Sequence, residues 1–205
     1  MNNGEKSRGD FKDIKFYTIE SAGLSEGKEK NGRKINQDRY LIFTNGGLFT
    51  AVVSDGIGGL PGGEIASQRV TIASREVADR ETSEKEPLPK ILTDMIETSD
   101  TDVRDEKILD THYQMGATFA GLLIRNGEMA CANVGDTRIY RKRGGVLTRL
   151  SLDHTRGAAM LEEGAAPEEA NKKNNVLTQY IGCGMEEIEP NYRQMPVETG
   201  EIFLL

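Results

Sequence analysis

The chain has 205 residues, 37% of them hydrophobic and 29% charged, with 26 Lys+Arg against 33 Asp+Glu and a formal net charge of −7. That is one domain's length with enough apolar material for a core, which excludes a disordered tail, and the acidic balance argues against nucleic acid as a partner. No run reaches the ~18 apolar residues of a membrane span, and Cys131 and Cys183 make no zinc or redox spacing, so the expectation is a cytoplasmic protein with reduced thiols and no membrane partner.

Residues 1–15 are polar and aperiodic and read as a flexible N-terminal tail. Phe16-Tyr17-Thr18-Ile19 is β-rich, and a polar loop follows from Ser25 to Lys34. Tyr40 to Phe43 and Leu48 to Val53 flank Asn45-Gly46-Gly47, a strong hairpin signal. After Gly63 the period changes. Ala66, Val70, Ala73 and Val77 step by four, three and four, the stripe of an amphipathic helix; Glu81 to Pro87 breaks it, and Leu88, Ile91, Leu92, Met95 and Ile96 begin a second stripe. Beyond Gly116 the pattern returns to strands: Thr118 to Ile124, a turn at Asn126-Gly127, Met129 to Val134, Thr137 to Tyr140, a turn at Gly144-Gly145, and Val146 to Leu150. Arg156 to Asn175 is polar, Ala-rich and part helical, and Val176 to Tyr180 reads as a strand entering a loop. Strands, two helices and then a longer antiparallel run argue an α+β fold.

The chain closes on Ile202-Phe203-Leu204-Leu205, which reads as a buried strand ending without turn or cap. The expectation drawn from this is a chain shortened on its C-terminal side; a short terminal edge strand is the alternative.

Three places carry candidate chemistry. In Val53-Ser54-Asp55-Gly56-Ile57-Gly58-Gly59 an apolar strand delivers a carboxyl group into a glycine turn. An Asp side chain beside a backbone carbonyl suits a hard cation such as Mg²⁺ or Mn²⁺, and no Gly-Lys-Ser/Thr follows, which excludes a P-loop. In Arg33-Lys34-Ile35-Asn36-Gln37-Asp38 a second carboxyl group sits at a loop-to-strand junction where it could face the first across a hairpin, and Arg33 could offer a fork of donors to a phosphoryl group. Asn133-Val134-Gly135-Asp136-Thr137-Arg138 is a third strand-to-Gly-Asp junction, in isolation a tight turn. His154 and His112 make no Ser/His/Asp or Cys/His arrangement, so covalent catalysis has no support.

Together with Gly63-Glu64-Ile65-Ala66-Ser67, Gly116-Ala117-Thr118, Leu152-Asp153-His154-Thr155 and Asn175-Val176-Leu177-Thr178-Gln179, these stretches resemble, in order and from about residue 33 onward, the metal-dependent protein phosphatases of the PPM family, the protein phosphatase 2C type, and most closely its compact bacterial members. The resemblance implies an αββα sandwich, two antiparallel sheets flanked by helices, with two or three Mn²⁺ or Mg²⁺ ions between the sheets. It implies hydrolysis of phosphoserine and phosphothreonine in proteins by a metal-activated water, and a Ser/Thr kinase as the opposing partner. By the same resemblance Asp55 bridges two metals, the Gly56 carbonyl and Asp38 bind metal, Asp136 binds a third, looser ion, and Arg33 holds the substrate phosphate, which makes Arg33 and Asp55 the catalytic pair. The domain runs over 16–205, incomplete at its C-terminal end, with a substrate-sorting flap at 156–175.

Two departures carry expectations of their own. Ile57 stands where animal relatives often have a proton-donating histidine, so water has to supply that proton. The Ser-Asp-Gly and Asp-Asn carboxylates that complete the family's metal shell would fall after Leu205, so this chain is expected to bind Mn²⁺ weakly and turn over poorly. The rival readings are a non-catalytic module that keeps the fold and binds, a phosphatase dedicated to one phosphoprotein in a stress or sporulation pathway, and a plain structural α+β domain with chance Asp-Gly turns.

Overall fold

The computed structural model describes residues 19–25, 28–30, 33–58, 62–81, 85–109, 115–184, 186 and 188–205. The tail at 1–15, the start of the first expected strand at 16–18, Gly59 and His112 lie outside the described residues. In chain order the elements are a short ribbon, β1 (Lys28–Lys30) and β2 (Arg33–Ile35); the hairpin β3 (Asp38–Asn45) and β4 (Leu48–Asp55); the helices α1 (Gly63–Arg80) and α2 (Leu88–Leu109); the strands β5 (Phe119–Arg125), β6 (Glu128–Val134), β7 (Tyr140–Arg143) and β8 (Val146–Arg149); two short helices, α3 (Arg156–Glu162) and α4 (Pro167–Asn171); and β9 (Asn191–Pro196) and β10 (Ile202–Leu204). Five strands form one antiparallel sheet in the order β3-β4-β5-β6-β9, and three form a second in the order β10-β7-β8.

Three hairpins share one solution to reversal. Gly46-Gly47, Asn126-Gly127 and Gly144-Gly145 each close a two-residue loop with both residues at positive φ, between 52° and 83°. These are the turns whose twist matches that of the flanking strands, and glycine or asparagine takes them at low cost. They fix the registers Asn45↔Leu48, Arg125↔Glu128 and Arg143↔Val146.

Both apolar stripes fold as expected. Ala66, Val70, Ala73 and Val77 are buried on α1, and Leu88, Ile91, Leu92, Met95 and Ile96 on α2. The two helices lie on one face of the five-stranded sheet, where they meet Leu48, Val52, Phe119 and Leu123. The opposite face carries Phe49, Leu122, Ile124, Met129 and Cys131, which pack with Ile139 and Leu150 and with half-buried Phe203 and Leu205 from the second sheet's side. Each of the largest of these side chains contributes roughly 1.5–3 kcal/mol on burial. Thr93 of α2 and Tyr192 of β9 share a hydroxyl hydrogen bond of 2.9 Å, tying the helical layer to the sheet's far edge.

Several expectations change. Strand β9 has no counterpart in the sequence reading: Asn191-Tyr192-Arg193-Gln194 has little apolar alternation, and β9 forms because the β6 edge offers a complete ladder from Glu128↔Pro196 to Asn133↔Asn191. The strand expected at Thr137 begins only at Tyr140, because Thr137 is tied to Thr118 and the Ile139 amide to the Ser151 hydroxyl. Val176 to Tyr180 is no strand, making only the isolated bridge Thr155↔Leu177. The terminal segment, expected to be buried, is the outer strand of the three-stranded sheet, with Ile202 50% and Leu204 49% exposed and Phe203 alone of the three turned toward the core.

Candidate active site

The β3–β4 ladder ends on the pair Asp38↔Asp55. Residues directly opposite in antiparallel strands project from the same face, so the two carboxyl groups lie side by side. Asp55 turns its backbone away from β3. Its N–H donates to Thr118 Oγ1 at 2.9 Å, and its carbonyl accepts from the Thr118 N–H at 2.8 Å. The aspartate pair is therefore of the non-hydrogen-bonded kind, in which side chains approach most closely. Both residues are exposed.

Local chemistry explains why the chain holds this shape. The Ser54 hydroxyl donates to the Thr118 carbonyl at 2.7 Å, and the Thr118 hydroxyl replaces that carbonyl as acceptor for Asp55. On the other strand, Asn36 Oδ1 accepts from the Asp38 N–H at 2.9 Å, and Asn36 Nδ2 donates to Ser25 Oγ at 2.7 Å. Gly56 then crosses between elements. Its N–H donates to the Gln37 carbonyl at 2.9 Å, and a Cβ on it would lie 2.1 Å from the Gly63 carbonyl oxygen, so no other residue fits where β4 meets the start of α1. Ile57 donates its N–H to the Gly116 carbonyl at 2.9 Å and presents only an alkyl side chain.

The Gly135-Asp136 turn stands apart from this pair but is joined to it by hydroxyl groups. Thr118 Oγ1 lies 2.6 Å from Thr137 Oγ1, so one threonine contacts both the Asp55 backbone and the residue after Asp136. Gly135 has φ +96°, and a Cβ there would meet Thr118 Cγ2 at 2.7 Å. Its N–H donates to His154 Nδ1 at 3.2 Å, and its carbonyl accepts from the His154 N–H at 3.0 Å. Burial holds the His154 imidazole below its ordinary pKa, with Asp153 and Glu189 pulling the other way. Burial also raises the Asp136 carboxyl above the usual range; Asp153 adds to this, while its own backbone N–H and Arg138 oppose it. Arg138 is engaged elsewhere, donating to Asp153 through Nε at 3.2 Å and Nη2 at 2.8 Å.

The structure thus brings Asp38, Asp55 and Gly56 together. Arg33 opens β2 opposite Lys30, and only its backbone is described. Asp136 does not join the aspartate pair in a cluster: among the described residues no group of three or more His, Cys, Asp or Glu is arranged to hold a metal ion. Thr118 and Thr137 are site residues with no signal of their own in the sequence: both lie in the family-like stretches, but the role of Thr118 depends on a contact 63 residues away. The donor set suits a hard divalent cation. Like charges directly opposite one another repel, and two carboxyl oxygens with a backbone carbonyl close by are the ligand types Mg²⁺ and Mn²⁺ prefer. Beside the pair runs a cleft of about 1180 Å³ between the sheets, lined by Tyr40, Ile42, Ala51 and Val53 on one side and by the 19–25 and 197–205 segments on the other.

The molecule is thus a sandwich of two antiparallel sheets with helices, carrying opposed carboxyl groups at the end of its edge hairpin, and the comparisons give its class. The family described as Protein phosphatase 2C matches residues 27–177, well over half of the chain. The chain belongs to that family. It is 29% identical over 178 residues to protein phosphatase PhpP of Streptococcus pneumoniae, covering 84% of this chain and 72% of that protein. Among solved structures, the Streptococcus agalactiae serine/threonine phosphatase matches with a TM-score of 0.75 at 28% identity, over 88% of this chain and 75% of that one. The catalytic domain of the serine/threonine protein phosphatase PstP, solved with two manganese ions, has the same fold, with a TM-score of 0.69 at 23% identity over 87% of this chain and 72% of that one.

Proposed function

We propose that this protein hydrolyses phosphoserine and phosphothreonine in other proteins at a divalent-metal centre gathered by Asp38, Asp55 and the Gly56 carbonyl. The observation that carries the reading is the Asp38↔Asp55 opposition at the end of the β3–β4 ladder, beside a glycine that admits no side chain. Two or three Mn²⁺ or Mg²⁺ ions, when bound, supply the activation of a water molecule and the neutralisation of phosphoryl charge. Asp55 and Asp38 hold that charge in place, Asp136 serves a further, looser ion, and Arg33 orients the phosphoryl oxygens with its planar fork of donors. Water oxygen bonds to phosphorus and gives up a proton to solvent as the phosphorus–ester bond breaks, and the departing serine or threonine oxygen takes a proton. Ile57 has none to give, so solvent provides it. The helical hairpin at 156–175 acts as the flap that sorts phosphoprotein substrates, and the domain extends over 16–205. A Ser/Thr kinase acting on the same substrates is the opposing partner, and the cytoplasm is the compartment. No helix among the described residues is long and apolar enough to cross a membrane.

The absence of a three-group metal cluster among the described residues favours a second reading, a family member that binds metal and phosphoprotein with little turnover. One experiment separates the two: hydrolysis of p-nitrophenyl phosphate and of a phosphothreonine peptide with Mn²⁺ titrated in, alongside calorimetric Mn²⁺ binding. The phosphatase reading expects Mn²⁺-dependent turnover that EDTA abolishes and that Asp55→Asn lowers at least roughly 100-fold. Mn²⁺ binding without turnover selects the second reading. Turnover unaffected by both EDTA and Asp55→Asn overturns the metal centre.

A further inference from the structure

Helix α2 carries a buried polar side chain that the metal chemistry does not use. Asp100 is 0% exposed. Its Oδ1 accepts from the Gly182 N–H at 2.7 Å and from the Gly184 N–H at 3.4 Å, and among the described residues its Oδ2 has no hydrogen-bond partner, only Arg104 Nη1 at 3.9 Å. Two helical turns further along, on the same face, Lys107 donates through Nζ to the Gly182 carbonyl at 2.5 Å. Gly182 is thus gripped through its N–H by an acid and through its carbonyl by a base. It takes φ +97°, and a Cβ would meet Val103 Cγ1 at 2.7 Å, so the backbone presses directly onto the helix. Burial lowers the Lys107 pKa while Asp100 raises it, as expected for an amine drawn partly out of water toward an acid.

The grip leads toward the site. Ile181, one residue before Gly182, exchanges two backbone hydrogen bonds with Ala117, at 2.8 and 3.2 Å. Ala117 in turn bridges Gly56, and Gly116 accepts from the Ile57 N–H. Tyr180 packs where a Cβ on Gly116 would lie, 2.5 Å from Tyr180 Cδ2 and 2.9 Å from Ile57 Cδ1. A narrow strip, Ile181–Ala117–Gly56, therefore runs from α2 to the proposed metal loop, joined by single bridges instead of full ladders.

We propose that Asp100, with Lys107, is a positioning residue: by fixing Gly182 against α2 it holds the strip that sets the Gly56 carbonyl and Asp55 for metal. The inference rests on the metal-centre reading for its functional half and on the hydrogen-bonded strip alone for its structural half, and the test reads the halves separately. In metal-free protein, Asp100→Ala raises hydrogen exchange at 55–57 and 115–118 as well as at 181–184, while α1 and β5–β6 stay protected. In the same variant calorimetric Mn²⁺ affinity falls roughly tenfold. Asp100→Asn, which keeps an acceptor for the Gly182 N–H, restores most of both. Should Asp100→Ala fail to fold, Lys107→Met removes the other half of the grip and carries the same two expectations. Loosening confined to 181–184, or spread evenly over the molecule, overturns the proposal. If wild-type protein binds no Mn²⁺ but the exchange pattern appears, the metal-centre reading fails and the positioning of the loop stands.

Discussion

At the scale of single residues, the aspartate pair is built at a cost to the metal-free fold. Asp38 and Asp55 are adjacent like charges on one sheet face, with backbone bonds that leave neither free to swing away. Neutralising one relieves repulsion. Asp38→Asn is expected to stabilise the protein in EDTA by a few tenths of a kcal/mol, because both groups are exposed and screened. The same change weakens Mn²⁺ binding, so chemical denaturation with and without Mn²⁺ shows opposite signs for one substitution. Loss of stability in both conditions would mean that Asp38 serves the hairpin and not the metal. The opposition of the two aspartates was legible in the sequence, because Asn45-Gly46-Gly47 announces a tight turn and counting back along both strands brings 38 opposite 55. Thr118 and Asp100 were not legible in these roles: each acts through partners 63 and 82 residues away, and nothing local marks either as more than an ordinary polar residue.

At the scale of elements, regular periodicity was readable and edges were not. The α1 and α2 stripes and the glycine turns declare themselves through spacing and φ requirements, whereas β9 is recruited by an open sheet edge and has no pattern of its own. The segment from Arg156 to Asn171 folds as two short helices resting on each other. Thr155 caps α3, its hydroxyl accepting from the Ala158 N–H at 3.1 Å, and the pair is rooted by the Thr155↔Leu177 bridge and by the Arg156–Glu163 ion pair at 3.1 Å. Helices of seven and five residues have little intrinsic stability, so the cap matters. Thr155→Ala is expected to cost about 1 kcal/mol in urea unfolding and to raise exchange across α3. If the hairpin sorts substrates, that variant raises KM for a phosphopeptide more than for p-nitrophenyl phosphate; equal changes in both would deny it that role.

At the scale of the whole molecule, distant segments are held together by a few buried polar contacts. His154 binds the Gly135 turn through its ring and its backbone N–H, and its carbonyl accepts from the Thr178 N–H at 2.9 Å, so three stretches of chain meet on one residue. Because burial depresses the imidazole pKa, the folded state disfavours its charged form. The sign follows: stability is fully present above the ordinary value of 6.5, falls as pH drops through the interval down to the depressed folded value, and levels off below it. Urea unfolding at pH 7.5 and 5.5 in EDTA should show this loss, and His154→Asn should flatten the slope. A wild-type slope unchanged by that substitution would assign the acid sensitivity to groups other than His154; Asp136, whose carboxyl burial raises, works in the opposite direction.

The two-residue loop at Gly46-Gly47 has a consequence at the other end of its hairpin. It acts as a ruler: seven steps down each strand from Asn45 and Leu48 it delivers Asp38 and Asp55 as facing neighbours. Side chains alternate between faces, so a one-residue slip in that hairpin's register would turn one of the two acids toward the helices while the other kept facing the second sheet's side. Chemistry at the mouth of the sheet is thus calibrated by a glycine pair that never touches it, and length there is constrained more tightly than identity.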